Sequence, residues 1–167
     1  MNKTERDDRF SGFVRRFLPV LAAALLLAGC QTTGDPGRTG SLGRARNPQV
    51  AAMVDRLARK HNVPTHIAHG VVRTESNYRC NARNSRTGAT GVMQVLPATA
   101  RAEGVHGDLT RCEVGMEAGM RYLRKALERG GTGCEGVSLY ERGIYAPLRC
   151  TGYGRKVISR SYPIQEG

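Results

Sequence analysis

Glu75 and Ser76, followed twelve residues later by Gly88-Ala89-Thr90-Gly91-Val92-Met93-Gln94, are the residues of this chain whose types and spacing best suit chemistry. Ile67, Ala68, Val71 and Val72 mark one face of a helix, and Glu75 lies three residues past Val72 and four past Val71. A carboxylate on that face is carried toward the core or a cleft, not into bulk water. Ionised carboxylates are rarely buried without a reason. Desolvation raises the pKa of such an acid, so it can hold a proton near neutral pH and act as a general acid. The glycine-rich turn is followed by a strand-like or helical stub that carries an amide, Gln94. Nothing pairs clearly with Glu75 as a second carboxylate: Glu103, Asp108, Glu113 and Glu117 read as caps and surface charge.

The elements that must position these residues are mostly helical. Asn47 is a capping residue and Pro48 suits a first turn. Val50, Val54, Leu57, Ala58 and His61 then form a stripe, with Arg56, Arg59 and Lys60 outside it. Val63-Pro64 breaks that helix and starts the next, which runs to about Asn77. Residues 79–91 read as a loop. Val92 to Leu96 is a short apolar piece, and Pro97 opens a brief helix ending near Gly104. Thr110-Arg111-Cys112-Glu113 has the form of a capping box. The long helix after it carries Val114, Ala118, Tyr122, Ala126 and Leu127 and ends at Gly130-Gly131. A shorter segment holds Val137, Leu139 and Tyr140, and Gly154 to Arg160 forms a last short helix. Strand alternation is scarce and no repeat is visible. The expected fold is mainly α, a bundle of short helices around a cleft.

The chain has 167 residues and a formal charge of +12. A basic, mixed-charge start precedes an apolar run, Leu18 to Ala28, too short to span a bilayer as a permanent helix. It reads as an export leader. Its end, Leu27-Ala28-Gly29-Cys30, resembles the bacterial lipoprotein signal, in which the cysteine is lipidated and becomes the new N-terminus. An ordinary cleaved leader with an incidental Cys30 is the alternative. Gln31 in place of aspartate favours, by that resemblance, the outer membrane. The expected organisation is a signal peptide over 1–29, a lipidated cysteine and flexible tether over 30–46, and one domain over 47–167. Without the leader the net charge is +10. Basic chains suggest nucleic acid, but the export signal argues against it and favours anionic envelope polymers or lipid surfaces. Four cysteines remain: Cys80, Cys112, Cys134 and Cys150. An even number in an exported chain suggests two disulfides, with three connectivities open. Cys80–Cys112 and Cys134–Cys150 are preferred because those loops are local. Zinc is the competing reading, but no close Cys-x-x-Cys or Cys-x-x-His pair supports it. Neither a metal nor a cofactor is expected.

The order of the pieces resembles the lytic transglycosylases of the soluble-transglycosylase type, which have a lysozyme-like fold. The resemblance covers about residues 50–145. It runs through Val71-Val72-Arg73-Thr74-Glu75-Ser76-Asn77-Tyr78, then Ser85, Gly88 to Gln94, Pro97-Ala98-Thr99-Ala100 and Ala118-Gly119-Met120-Arg121-Tyr122-Leu123. Glu-Ser alone is a weak signal; all of these in order are a strong one. The resemblance implies cleavage of the MurNAc–GlcNAc β-1,4 bond of peptidoglycan without water, leaving a 1,6-anhydro sugar. Glu75 is then the catalytic acid and base. It implies that Ser76 and Ser85 hydrogen-bond near the acid or the sugar, and that Gly88 and Gly91 bring backbone close to the sugar. Met93 would pack under a sugar ring, with core filling as its alternative, and Gln94 would bind the ring's polar edge. Tyr140 corresponds to the tyrosine of the family's Tyr-Asn pair and would hydrogen-bond Glu75 or hold substrate. The expected partners are peptidoglycan strands, a membrane through a lipid anchor at Cys30, and secretion or envelope machinery as a further candidate.

One motif departs from the pattern: the usual asparagine is Glu141, followed by Arg142-Gly143. Glu141 reads either as a second acid near the cleft or as a surface ion-pair partner. Two rival functions remain, a goose-type lysozyme-like hydrolase that uses water and a non-catalytic peptidoglycan-binding lipoprotein.

Overall fold

A computed structural model describes residues 47–161. The leader, the Cys30 lipidation position and the tether therefore lie outside the described residues. Helix α1 spans Pro48–Lys60, α2 Thr65–Glu75, α3 Pro97–Ala102, α4 Cys112–Gly130, α5 Cys134–Arg142 and α6 Gly152–Ser161. Among the described residues there is no strand. Two isolated bridges, Arg83 with Thr90 and Thr90 with Val95, fold the segment between α2 and α3 back on itself.

Local chemistry sets the ends of these helices. The Asn47 side chain accepts the Val50 amide at 3.2 Å and Pro48 occupies the first turn of α1. Asn62 in a left-handed conformation (φ 53°) and then Pro64 separate α1 from α2. The capping box expected at Thr110 does not form. The Thr110 hydroxyl instead donates to Asp108 at 2.7 Å, and Arg111 stands at the N-cap of α4. A preceding aspartate thus outcompetes the helix for the threonine.

Helix α2 lies at the centre, packed on α1 and α6, while α5 packs between α4 and α6. Ile67, Ala68, Val71 and Val72 of α2 are fully buried. Gly70 lets α6 approach: a Cβ there would lie 2.2 Å from the Ser161 hydroxyl and 2.7 Å from the Val157 carbonyl. The buried face of α4 runs through Met116, Ala118, Met120, Leu123, Ala126 and Leu127, with Val114 and Tyr122 at its margins. Disulfides join Cys80 to Cys112 and Cys134 to Cys150. The first ties the loop after α2 to the start of α4. The second ties the start of α5 to the segment before α6.

Candidate active site

Glu75 is the last residue of α2, and the chain turns sharply after it. Asn77 and Tyr78 both take left-handed conformations, φ 51° and 64°. That is uncommon for residues with side chains and needs surrounding structure to enforce it. Ser76 supplies part of that structure. It is 2 % exposed; its hydroxyl donates to the Val92 carbonyl at 2.7 Å and accepts the Arg79 amide at 3.2 Å. The end of α2 is thereby fastened to the glycine-rich turn.

That turn wraps beneath the site. At Gly91 (φ 85°) a Cβ would lie 2.2 Å from the Leu109 carbonyl, so only glycine fits there. Met93 is fully buried against Gly119 of α4. Gln94, left-handed at φ 49°, donates its amide to the Ala82 and Gly91 carbonyls at 3.1 and 2.9 Å.

Two recesses meet at Glu75. The first, about 560 Å³, is lined by Glu75, Gln94, Leu96, Tyr122, Tyr140 and Glu141, among others. The second, about 600 Å³, is more polar and includes Glu75, Arg79, Arg83, Asn84, Ser85 and Gln94. Glu75 and Gln94 line both, so the recesses form one cleft across the end of α2. Tyr153, on α6, donates its hydroxyl to Glu75 Oε1 at 2.5 Å. The Tyr140 hydroxyl donates to the Met93 carbonyl at 2.8 Å, and its ring tilts against Tyr122 with centroids 5.5 Å apart. Ser138 of α5 holds the start of α6 by accepting the Thr151 amide at 3.0 Å.

Burial raises the Glu75 pKa above the usual carboxylate value. The hydrogen bond from Tyr153 works against this, the Glu141 charge adds to the rise, and Lys156 opposes it. Burial also pushes the Tyr140 and Tyr153 phenols well above their ordinary range. Both are neutral hydrogen-bond donors across the working pH range. With Tyr153 bonded to Oε1, the acid proton of Glu75 belongs on Oε2. The arrangement can deliver one proton to a ligand in the cleft and take one back.

Of the residues singled out in the sequence, the structure brings Glu75, Ser85, Gln94 and Tyr140 to the cleft wall. It does not bring Ser76, Gly91 or Met93 there; these lie beneath it, and their contacts hold Glu75 and the turn in place. Gly88 sits in an exposed turn with no atom within 4 Å of where a Cβ would be. Tyr140 reaches the Met93 carbonyl, whereas the partner of Glu75 is Tyr153, which the sequence reading missed. The available signal was Val157, four residues on: starting the last helix two residues earlier, at Gly152, puts Tyr153 on the same face as Val157. Tyr122, Leu96 and Asn84 were also missed as wall residues. Among the described residues no cluster of His, Cys, Asp or Glu is suited to a metal.

The family described as the transglycosylase SLT domain matches residues 52–151, which include every residue of the cleft except Tyr153. Two solved structures share the fold. An inactive glutamate-to-glutamine mutant of lytic transglycosylase Slt from Pseudomonas aeruginosa aligns with a TM-score of 0.57 at 20 % identity, over 66 % of this chain and 23 % of its own. The 70 kDa soluble lytic transglycosylase SLT70 from Escherichia coli aligns with a TM-score of 0.50 at 22 % identity, over 66 % of this chain and 18 % of its own. This chain thus matches about a fifth of the length of either protein, and its fold is the mainly helical, lysozyme-like one. By the match over residues 52–151, the chain belongs to the transglycosylase SLT domain family.

Proposed function

We propose that the protein is a peptidoglycan lytic transglycosylase with Glu75 as its general acid and base. The observation that carries this reading is a partly buried carboxyl with a raised pKa, held by Tyr153 at the junction of two recesses. Glu75 would donate the Oε2 proton to the glycosidic oxygen as the C1–O bond of MurNAc breaks. The N-acetyl group of the sugar would support the electron-poor C1. The resulting carboxylate would then take the proton of the C6 hydroxyl as that oxygen bonds to C1, giving 1,6-anhydro-MurNAc and restoring the acid. Protons and bonds balance with no water consumed. Gln94, Ser85 and Asn84 supply polar contacts to the strand, and Tyr122 and Leu96 an apolar wall. The export leader and the lipid anchor at Cys30 would hold the domain over 47–167 on the periplasmic face of the outer membrane, close to the substrate.

A second reading, hydrolysis, draws on Glu141. It lines the first recess with Glu75, and glycosidases that use water commonly work with two carboxylates. One experiment tests both. Purified sacculi are digested with the protein and with Glu75→Gln, and the soluble products are weighed. Anhydro products, lighter by one water than their reducing counterparts, support the lyase; reducing ends support the hydrolase. The variant should be slower by about 10²–10⁴-fold, the usual contribution of a positioned proton donor. Equal release by both proteins would sink the role of Glu75, and no release by either would leave the chain as a binding protein.

A further inference from the structure

The loop that joins α5 to α6 carries apolar side chains on its outside. Tyr145 is 88 % exposed and Leu148 53 %. Among the described residues the only other large apolar side chain so exposed is Leu96, which the cleft wall accounts for. Pro147, between Tyr145 and Leu148, is exposed as well. The loop is nonetheless firmly held. The Arg129 guanidinium donates to the Ile144 carbonyl and, at 2.8 Å, to the Ala146 carbonyl. The Arg142 guanidinium donates to the Pro147 carbonyl at 2.7 Å. Cys150 closes the loop through its disulfide to Cys134 of α5. Two arginines and a disulfide thus hold a loop whose large side chains face solvent. Apolar groups presented on a braced loop mark an interaction site.

The surroundings are cationic. Residues 142–156 include Arg142, Arg149, Arg155 and Lys156 and no acid. Arg149, Arg155 and Lys156 are exposed, and among the described residues none of the three lies within ion-pair distance of a carboxylate. Residues 143–150 contain no Asp, Glu, Asn, Gln, Ser or Thr to bond the hydroxyls of a sugar. An aromatic ring with a polar tip, a leucine and free cations suit instead the boundary between phospholipid headgroups and acyl chains. No helix among the described residues is long and apolar enough to cross a membrane, so a contact of this kind is with the surface. We propose that the loop over residues 143–150 seats Tyr145 and Leu148 in the headgroup layer of an anionic phospholipid surface, with Arg149, Arg155 and Lys156 against its phosphates. The inference goes beyond the proposed reaction and does not rest on it. Each cation near an anionic membrane raises affinity about fivefold, and three raise it about a hundredfold, less as salt rises. Arg142 and Gly143 also line the cleft, so a docked loop fixes the direction in which the cleft faces the membrane.

The chain has no tryptophan, so Tyr145→Trp in the full chain gives it a sole indole, placed in the loop. This variant is mixed with vesicles of phosphatidylcholine and phosphatidylglycerol in equal parts, with vesicles of phosphatidylcholine alone, and with purified sacculi. On the anionic vesicles its emission should move to shorter wavelength and acrylamide should quench it less. Phosphatidylcholine alone should need at least about twenty times more lipid for the same response. A leader seated in the bilayer brings the chain to the lipid but leaves residue 145 in water unless the loop itself docks. Adding Arg149→Gln and Arg155→Gln should raise the lipid needed for half the shift about twentyfold, with a near-native melting temperature confirming the fold. Adding Leu148→Ser should raise it as well. Unchanged emission on anionic vesicles overturns the proposal, and so does an equal response on phosphatidylcholine alone or in the arginine variant. A shift on sacculi with none on vesicles assigns the loop to the glycan and overturns it too. None of these readouts needs cleavage, so they decide the role of the loop whether or not Glu75 proves catalytic.

Discussion

Replacing Tyr153 by phenylalanine removes one oxygen and leaves the ring. The lost group donates to Glu75 Oε1 at 2.5 Å. While Glu75 is a neutral acid, such a bond contributes about 0.5–1.5 kcal/mol; once Glu75 has given up its proton, the acceptor is ionised and the same bond contributes about 1.5–3 kcal/mol. In the proposed mechanism the difference, about 1–1.5 kcal/mol, would exist only as proton transfer proceeds, so it would lower the barrier without tightening substrate binding. At about 1.4 kcal/mol per tenfold, it accounts for roughly a five- to twelvefold rate effect. Tyr153→Phe should therefore lower the single-turnover rate on purified sacculi about tenfold with KM little changed. The pH dependence adds a signed test. Burial raises the Glu75 pKa and the Tyr153 bond lowers it, so its removal leaves burial less opposed. The acid form then persists to higher pH and the basic limb of the profile moves upward. The deficit of the variant should accordingly shrink as pH rises. An unchanged rate, or a basic limb that moves down, would refute the role assigned to Tyr153, and a near-native melting temperature excludes simple misfolding.

Two further outcomes concern the frame around the site. Burial alone would raise the pKa of Glu117, but bonds from His61, Lys60 and Arg121 at 2.9, 3.0 and 2.9 Å hold it at about 2. Its folded pKa is depressed, so its stabilisation is present above the unfolded value near 4.5 and is lost as pH falls through about 2. Glu117→Gln should lower stability by about 1–2 kcal/mol at pH 7, the low part of the range because Lys60 and Arg121 are well exposed. In thermal melts the gap should close toward pH 2; a gap independent of pH would contradict the assignment. Gly119→Ala would place a Cβ 2.5 Å from the Met93 sulfur and 2.6 Å from its Cβ. Overpacking of this kind costs about 1–3 kcal/mol. Because the Met93 carbonyl anchors Tyr140, activity should fall along with the melting temperature, and a variant that melts like the native protein would show that Met93 relaxes freely.

The helices were legible where apolar spacing and chain breakers agree. Pro48, Pro64 and Pro97 each stand at a start, and the buried residues of α1 and α2 are those their periodicity marks with two exceptions: His61 falls past the end of α1 and is only part-buried, and Gly70 of α2 is buried unmarked. Reading was weaker where a side chain had two local partners. Thr110 satisfied the form of a capping box, yet Asp108 two residues earlier was the nearer acceptor. The stripe assigned to α4 included Val114 and Tyr122 and omitted Met116, Met120 and Leu123, because α4 has neighbours on more than one side and a single stripe understates its buried surface.

The site shows a different kind of illegibility. Glu75 was visible because the burden of holding a carboxyl on an apolar face is local to one helix. Its support is not local. Tyr153 is 78 residues away in sequence, and only the packing of α6 on α2, close at Gly70, brings its hydroxyl to Glu75. The motif residues Ser76, Gly91 and Met93 have the converse character: they sit beside Glu75 in sequence or space and point into the frame. Ser76 fastens the end of α2 to Val92, Gly91 admits the Leu109 carbonyl, and the Met93 carbonyl receives Tyr140. A short signature thus mixes groups that meet the cleft, Glu75 and Gln94, with several that fix where Glu75 stands. Precision in the position of a general acid is worth as much as its pKa, since a displacement of about 1 Å can cost about a hundredfold in rate. Mutations at Ser76 or Gly91 should on this argument lower activity through displacement of Glu75. Their mark would be a fall in kcat accompanied by lost stability, whereas Glu75→Gln removes the proton donor and leaves the frame standing.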